Sequence, residues 1–136
     1  MRERIVLAHL DAENRLDVED SLATFSGSHG PHYFIVPWNL RLDGPAATRG
    51  YLEDYFAQFP SITTEPLRML HADDAVIVEF RSHGTHDGDL PGYPANGKPY
   101  EVFGCGIFSF EGPDLVGETV YTDAAGLFAQ IGDTPA

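Results

Sequence analysis

The main change in the period of the apolar residues along this chain falls at Pro60, and that change restricts the fold more than any other feature. Before it, apolar residues recur at helical spacing. Ile5, Ala8, Ala12 and Leu16 form one stripe, and Val18, Leu22 and Phe25 form another behind Asp17 as a cap. Tyr51, Leu52, Tyr55, Phe56 and Phe59 form a third between the start signal Asp43-Gly44-Pro45 and the stop at Pro60. One strand pattern, residues 33–38, interrupts this helical half and ends at Pro37 and Trp38. After Pro60 the apolar residues alternate over 62–70, 75–86, 100–110 and 115–122, with short polar turns at 72–74 and 111–114. A chain that reads helices, strand, helix and then a succession of strands predicts an α+β fold with a curled, mostly antiparallel sheet.

The period switches back at Asp123, where Leu127, Phe128 and Ile131 resume helical spacing. The one long connection in the second half, residues 87–99, is rich in Gly and Pro, the kind of loop that rims a site. At 136 residues the chain is about one domain, and we read residues 1–136 as a single unit.

Composition removes several classes of function. Eight Lys and Arg against 21 Asp and Glu give a formal charge of -13, which repels polyanions and argues against nucleic acid. Cys105 is the only cysteine, so no intrachain disulfide forms. The first twenty residues break their apolar positions with charges in every turn, unlike a signal peptide, and no stretch has the length of a membrane span. The expectation is a soluble, cytoplasmic protein with no membrane partner. Gly-rich phosphate loops and nucleophile elbows are missing from the sequence, so no cofactor is expected. Among six histidines, His83 and His86 lie three apart on a strand pattern, and His29 and His32 lie in a turn without an accompanying acid; neither spacing suits a metal.

Three local signatures in this order resemble the SnoaL-like polyketide cyclase and ester cyclase branch of the nuclear transport factor 2-like superfamily. They are LHADDAVIVEF (70–80), GTHDGDLPGYPANGKP (84–99) and LVGETVYTDAAGLFAQIG (115–132). The resemblance covers nearly the whole chain. It implies a cone in which a strongly bent sheet, wrapped by three helices, encloses a blind apolar cavity, and a homodimer formed through the outer face of the sheet. It also implies that Asp123, at the end of the last strand, is the general acid/base of an intramolecular aldol ring closure. Asn96 stands where relatives carry Thr, and Thr119 where many carry Trp.

A carboxyl group removes a proton α to a carbonyl best when apolar surroundings raise its pKa toward the working pH. Asp123 is therefore the candidate catalyst, with helix capping as its alternative role. Thr119, Tyr121 and Asp123 share parity, so the expectation turns all three into the cone, with Tyr121 donating a hydrogen bond to substrate oxygen. His86, in Gly-Thr-His at the start of the long loop, either assists Asp123 or pins the loop. Tyr33, Trp38, Tyr51, Tyr55, Phe56 and Phe108 are candidates to line the cavity together with Thr119. The function expected is cofactor-independent acid/base chemistry on a small apolar carbonyl compound, as an aldol-type cyclase, isomerase or lyase. Two alternatives stand beside it: a binding domain without chemistry, and an epoxide hydrolase that would need Glu79 and Arg81 inside the cone.

Overall fold

The computed structural model describes residues 1–27 and 30–132. Helix α1 spans Arg2–Asn14 and α2 spans Val18–Ala23, its first turn closed by the Asp17 carboxylate accepting from Asp20 N–H. Strand β1 is His32–Ile35, followed by a single 3-10 turn, Val36–Trp38, and by β2, Leu40–Asp43. Helix α3 runs Pro45–Gln58 with Pro at its first position, where a missing N–H costs nothing. Then come β3 Thr63–Ala72, β4 Ala75–Thr85, β5 Pro99–Glu111, β6 Asp114–Thr122 and α4 Ala124–Ile131.

The six strands form one sheet in the order β2-β1-β6-β5-β4-β3. The second half is the antiparallel meander that the alternation predicts, and β1 joins its far edge parallel to β6. The expected α+β architecture is thus present, with four α-helices among the described residues where the resemblance implied three. Strand β2 was not anticipated. The strand expected over 33–38 stops at Ile35, because Pro37 has no N–H for the ladder and the chain turns at Asn39 in the left-handed region (φ 49°).

The first helical stripe also needs correction. Val6, His9, Leu10 and Ala12 are buried while Ala8 is exposed, so α1 is rotated by about one position from the expected face. The rotation turns a histidine toward the interior. Two apolar clusters hold the fold together. One joins Val6 and Leu10 of α1 to Val76, Val78, Phe108 and Leu115 of the sheet. The other joins Phe59, Leu90, Tyr100 and Val102 to Leu127 and Ile131 of α4. Each such side chain contributes roughly 1.5–3 kcal/mol on burial, so the helices are held by the sheet more than by their own propensity.

Candidate active site

Residues of both clusters line a cavity of about 450 Å³, within the range of small-molecule sites. Its depth follows from exposure. Tyr33, Phe108 and Glu118 are buried at one end, whereas Trp38, Asp54 and Asp123 are exposed at the other, which is the mouth. The walls are mostly aromatic, and Tyr51 and Tyr55, one helical turn apart on α3, stack with ring centroids 5.9 Å apart.

A polar cluster sits at the closed end. His9 and Glu13 stand at i and i+4 on α1, with Nε2 of His9 2.6 Å from the Glu13 carboxylate. Glu118, the only charged side chain between Leu115 and Thr122 on β6, places Oε1 3.4 Å from the same nitrogen. The Tyr33 hydroxyl, from β1, lies 3.0 Å from it. The second ring nitrogen of His9 fixes the tautomer. The Thr24 hydroxyl donates to the Ser21 carbonyl at 2.7 Å, so it accepts from Nδ1–H of His9 at 2.8 Å.

With Nδ1 protonated, a 2.6 Å contact between Nε2 and a carboxylate oxygen requires a proton there as well. His9 is therefore an imidazolium. Burial opposes that charge, but the Glu13 and Glu118 carboxylates outweigh it and push the His9 pKa up to about 10. Burial drives the Glu118 carboxyl upward, assisted by the charge of Glu13 and opposed by the nearby imidazolium of His9. Burial likewise raises Tyr33 and Tyr55 well above the usual phenol range, so both remain neutral. Oε1 of Glu118 is buried without a hydrogen-bond partner among the described residues. His9, Glu13 and Glu118 each offer a ligating atom within 4.8 Å of the others, the reach of a small cation; the 2.6 Å contact is that of a shared proton.

The residues expected from the sequence fall into three groups. Tyr33, Trp38, Tyr51, Tyr55 and Phe108 line the cavity. Asp123 borders it at the mouth, where its carboxylate accepts from Gly126 N–H at 2.8 Å and caps α4. The rest lie elsewhere. Glu118, Val120 and Thr122 are the β6 side chains that face inward, so the parity assigned to Thr119 and Tyr121 is reversed. Tyr121 is 47% exposed, and Thr119 shares its outer face. Phe56 is buried but lies outside the lining.

His86 is buried and also outside the lining. Its Nε2–H donates to the Tyr93 carbonyl at 3.0 Å, while its backbone binds Lys98, Asn96 and Gly97, so it pins the long loop. Asn96, the residue standing in place of Thr, donates to the Ile131 carbonyl and ties that loop to α4. Glu79 and Arg81 lie on the outer face, bound to Arg68 and to Glu101 and Glu65 respectively, which removes the arrangement an epoxide hydrolase would need. His32 does have an acid, Asp43 across the β1–β2 pair at 2.7 Å, and His29 lies outside the described residues.

His9, Glu13 and Glu118 were missed. A histidine four residues before a glutamate on a helix, and a lone glutamate in an apolar strand, were the available signals. Neither says which face is inside.

Comparison with known proteins agrees with this architecture. The family model described as SnoaL-like polyketide cyclase matches residues 5–131. No match is found among curated proteins. Three solved structures superpose over almost the whole chain. A candidate SnoaL-like polyketide cyclase from Jannaschia sp. CCS1 has 18% identity and a TM-score of 0.86, covering 98% of this chain and 93% of its own. IdmH, a candidate polyketide cyclase from Streptomyces antibioticus, has 18% identity and a TM-score of 0.81, covering 98% and 99%. AclR, a candidate hydroxylase from Streptomyces galilaeus, has 18% identity and a TM-score of 0.82, covering 99% and 87%. At these identities the structures share the fold, and the different activities in their names leave the chemistry to the site.

Proposed function

The chain belongs to the SnoaL-like polyketide cyclase family, and from that premise we propose that it is an acid/base enzyme acting on a small apolar carbonyl compound, as an aldol-type cyclase. The observation that carries this reading is a carboxyl group, Glu118, buried with an unpartnered oxygen at the closed end of an aromatic cavity. Aldol closure needs a group that takes a proton from carbon and returns one to oxygen. Glu118 fills that role here, in place of the expected Asp123. A carboxyl raised by burial is poised closer to neutral pH than a solvated one.

The neighbours have separable tasks. Tyr33, neutral and buried, donates to the substrate oxygen on which negative charge develops. His9 supplies a fixed positive charge that steadies the ionised form of Glu118, and Glu13 balances it. The aromatic walls hold the substrate and keep water out. Asp123 organises the mouth by capping α4.

The test is turnover of a panel of apolar polyketide-like ketones and esters by the protein and two variants. Glu118→Gln is expected to lower turnover by about 10²–10⁴-fold while ligands still bind, and Asp123→Asn is expected to leave turnover within a few-fold. Unchanged turnover in Glu118→Gln would overturn the assignment. Saturable binding with no turnover of any ligand would return the protein to the binding-domain reading.

A further inference from the structure

Three features of the cavity go unused if its ligand is simply a neutral ketone or ester. The first is Oε1 of Glu118, which makes no hydrogen bond among the described residues and has the His9 ring nitrogen only at 3.4 Å. A carbonyl oxygen is an acceptor and leaves a carboxylate oxygen as bare as before; only a ligand that brings an N–H or O–H satisfies it. The second is the sign of the lining. Glu13 and Glu118 lie toward the closed end, Asp54 and Asp123 stand at the mouth, and no Lys or Arg lines the cavity among the described residues. Arg15, Arg49, Arg68 and Arg81 are bound to carboxylates on the outside of the molecule. Among the described residues His9 is the one cation close by, and Glu13 offsets it at 2.6 Å. The third is the aromatic wall of Tyr33, Trp38, Tyr51 and Tyr55, whose π faces attract alkylammonium groups.

We propose that the ligand of this cavity is a carbonyl compound bearing a protonated amine, with its N–H on Oε1 of Glu118 and its N-alkyl groups against the tyrosines. The proposal rests on the reading of Glu118 as the acid/base group and adds what activates it. Burial favours the neutral acid, which cannot remove a proton from carbon. An ammonium placed against it favours the carboxylate, the form that can. No covalent bond changes: the ligand ammonium and the Glu118 carboxylate form an ion pair.

The groups facing Glu118 are His9 and Glu13 from α1, Tyr33 from β1 and Tyr51 from α3, whereas Gly106 and Phe108 on the adjacent strand carry no charge. The phenols stay neutral and His9 stays charged and paired to Glu13, so Glu118 is the group left for the ammonium to pair with.

Calorimetric titration with N,N-dimethylbenzylamine, a cation at pH 7, against benzyl methyl ether, a neutral counterpart with no N–H or O–H, tests this without any turnover assay. The amine is expected to bind about tenfold tighter or more. Glu118→Gln is expected to abolish this preference while benzyl methyl ether binds as before, which shows that the variant is folded. Equal affinities for the two probes would overturn the proposal. So would an amine preference that survives Glu118→Gln, because the cation would then sit at the mouth with Asp54 and Asp123. The acid/base reading fails separately, on unchanged turnover in Glu118→Gln.

Discussion

Asp123 and His9 occupy opposite ends of the cavity, and each makes a prediction about stability that its role in chemistry does not. Asp123 caps α4 through Gly126 N–H, so Asp123→Ala removes a cap worth about 1 kcal/mol and lowers the melting temperature by about 3–5 °C. Asp123→Asn keeps a capping oxygen and is expected to melt within about a degree of the parent; thermal unfolding followed by circular dichroism separates the two. His9 makes stability depend on pH. Its pKa rises from the ordinary 6.5 to about 10 on folding, so the stability it contributes is fully present below pH 6.5 and is lost as pH rises through about 10. Glu118, also raised, slopes the same way. Urea unfolding at intervals from pH 6 to 10 is expected to show a decline that Glu13→Gln flattens above pH 8, because Glu13 is the closest partner holding the charge on His9.

Strand β5 is the element on which the cavity depends. Its inward side alternates Val102, Gly104, Gly106, Phe108 and Phe110, two glycines between large side chains. Gly104 is small for a reason: a Cβ there would lie 2.6 Å from Phe80 Cζ and 2.5 Å from the Tyr121 carbonyl oxygen. Phe80 fills that space from β4, whose residue lies directly across the ladder. Gly104→Ala is expected to cost about 1–3 kcal/mol through overpacking, measured as a lower urea midpoint at unchanged slope. The elements themselves were largely legible. The meander, α3 between Gly44 and Phe59, and the Asp17 cap all follow from spacing and turn residues, because those signals are local. Strand β2, four residues beside β1, was not legible: Leu40–Asp43 becomes a strand only because β1 is there to pair with it.

At the scale of the whole molecule, the outer face of the sheet carries an exposed apolar patch. Leu70, Phe103 and Tyr121 are exposed on it, with Ile77 and Ile107 partly so, beside the surface ion pairs of Glu79 and Arg81. A single chain gains nothing from such a patch, whereas a second copy buries it. We propose a homodimer across this face, and analytical ultracentrifugation is expected to find a dimer that Phe103→Glu converts to a monomer with the cavity, and hence ligand affinity, intact. A monomeric parent protein would refute it. No described helix is long and apolar enough to cross a membrane.

The sequence by itself determined the kind of fold, since a helical period before Pro60 and an alternating one after it leave little but helices packed on a curled sheet. It also named Tyr51 and Tyr55 of the aromatic lining, because they share the apolar stripe of α3, although Phe56 beside them is buried outside the cavity. Which side of β6 is inside was decided by the tertiary structure alone. Along residues 115–122 both faces carry apolar side chains, so alternation is symmetric and a choice of face is a choice between Tyr121 and Glu118. The curl of the sheet around α1 makes that choice, and the same contact rotates α1 to turn His9 inward. The polar cluster is assembled from α1, β1 and β6, up to 109 residues apart in sequence from His9 to Glu118, and no local pattern encodes a distance between them. A strand's period fixes which side chains share a face, and only packing fixes where that face points.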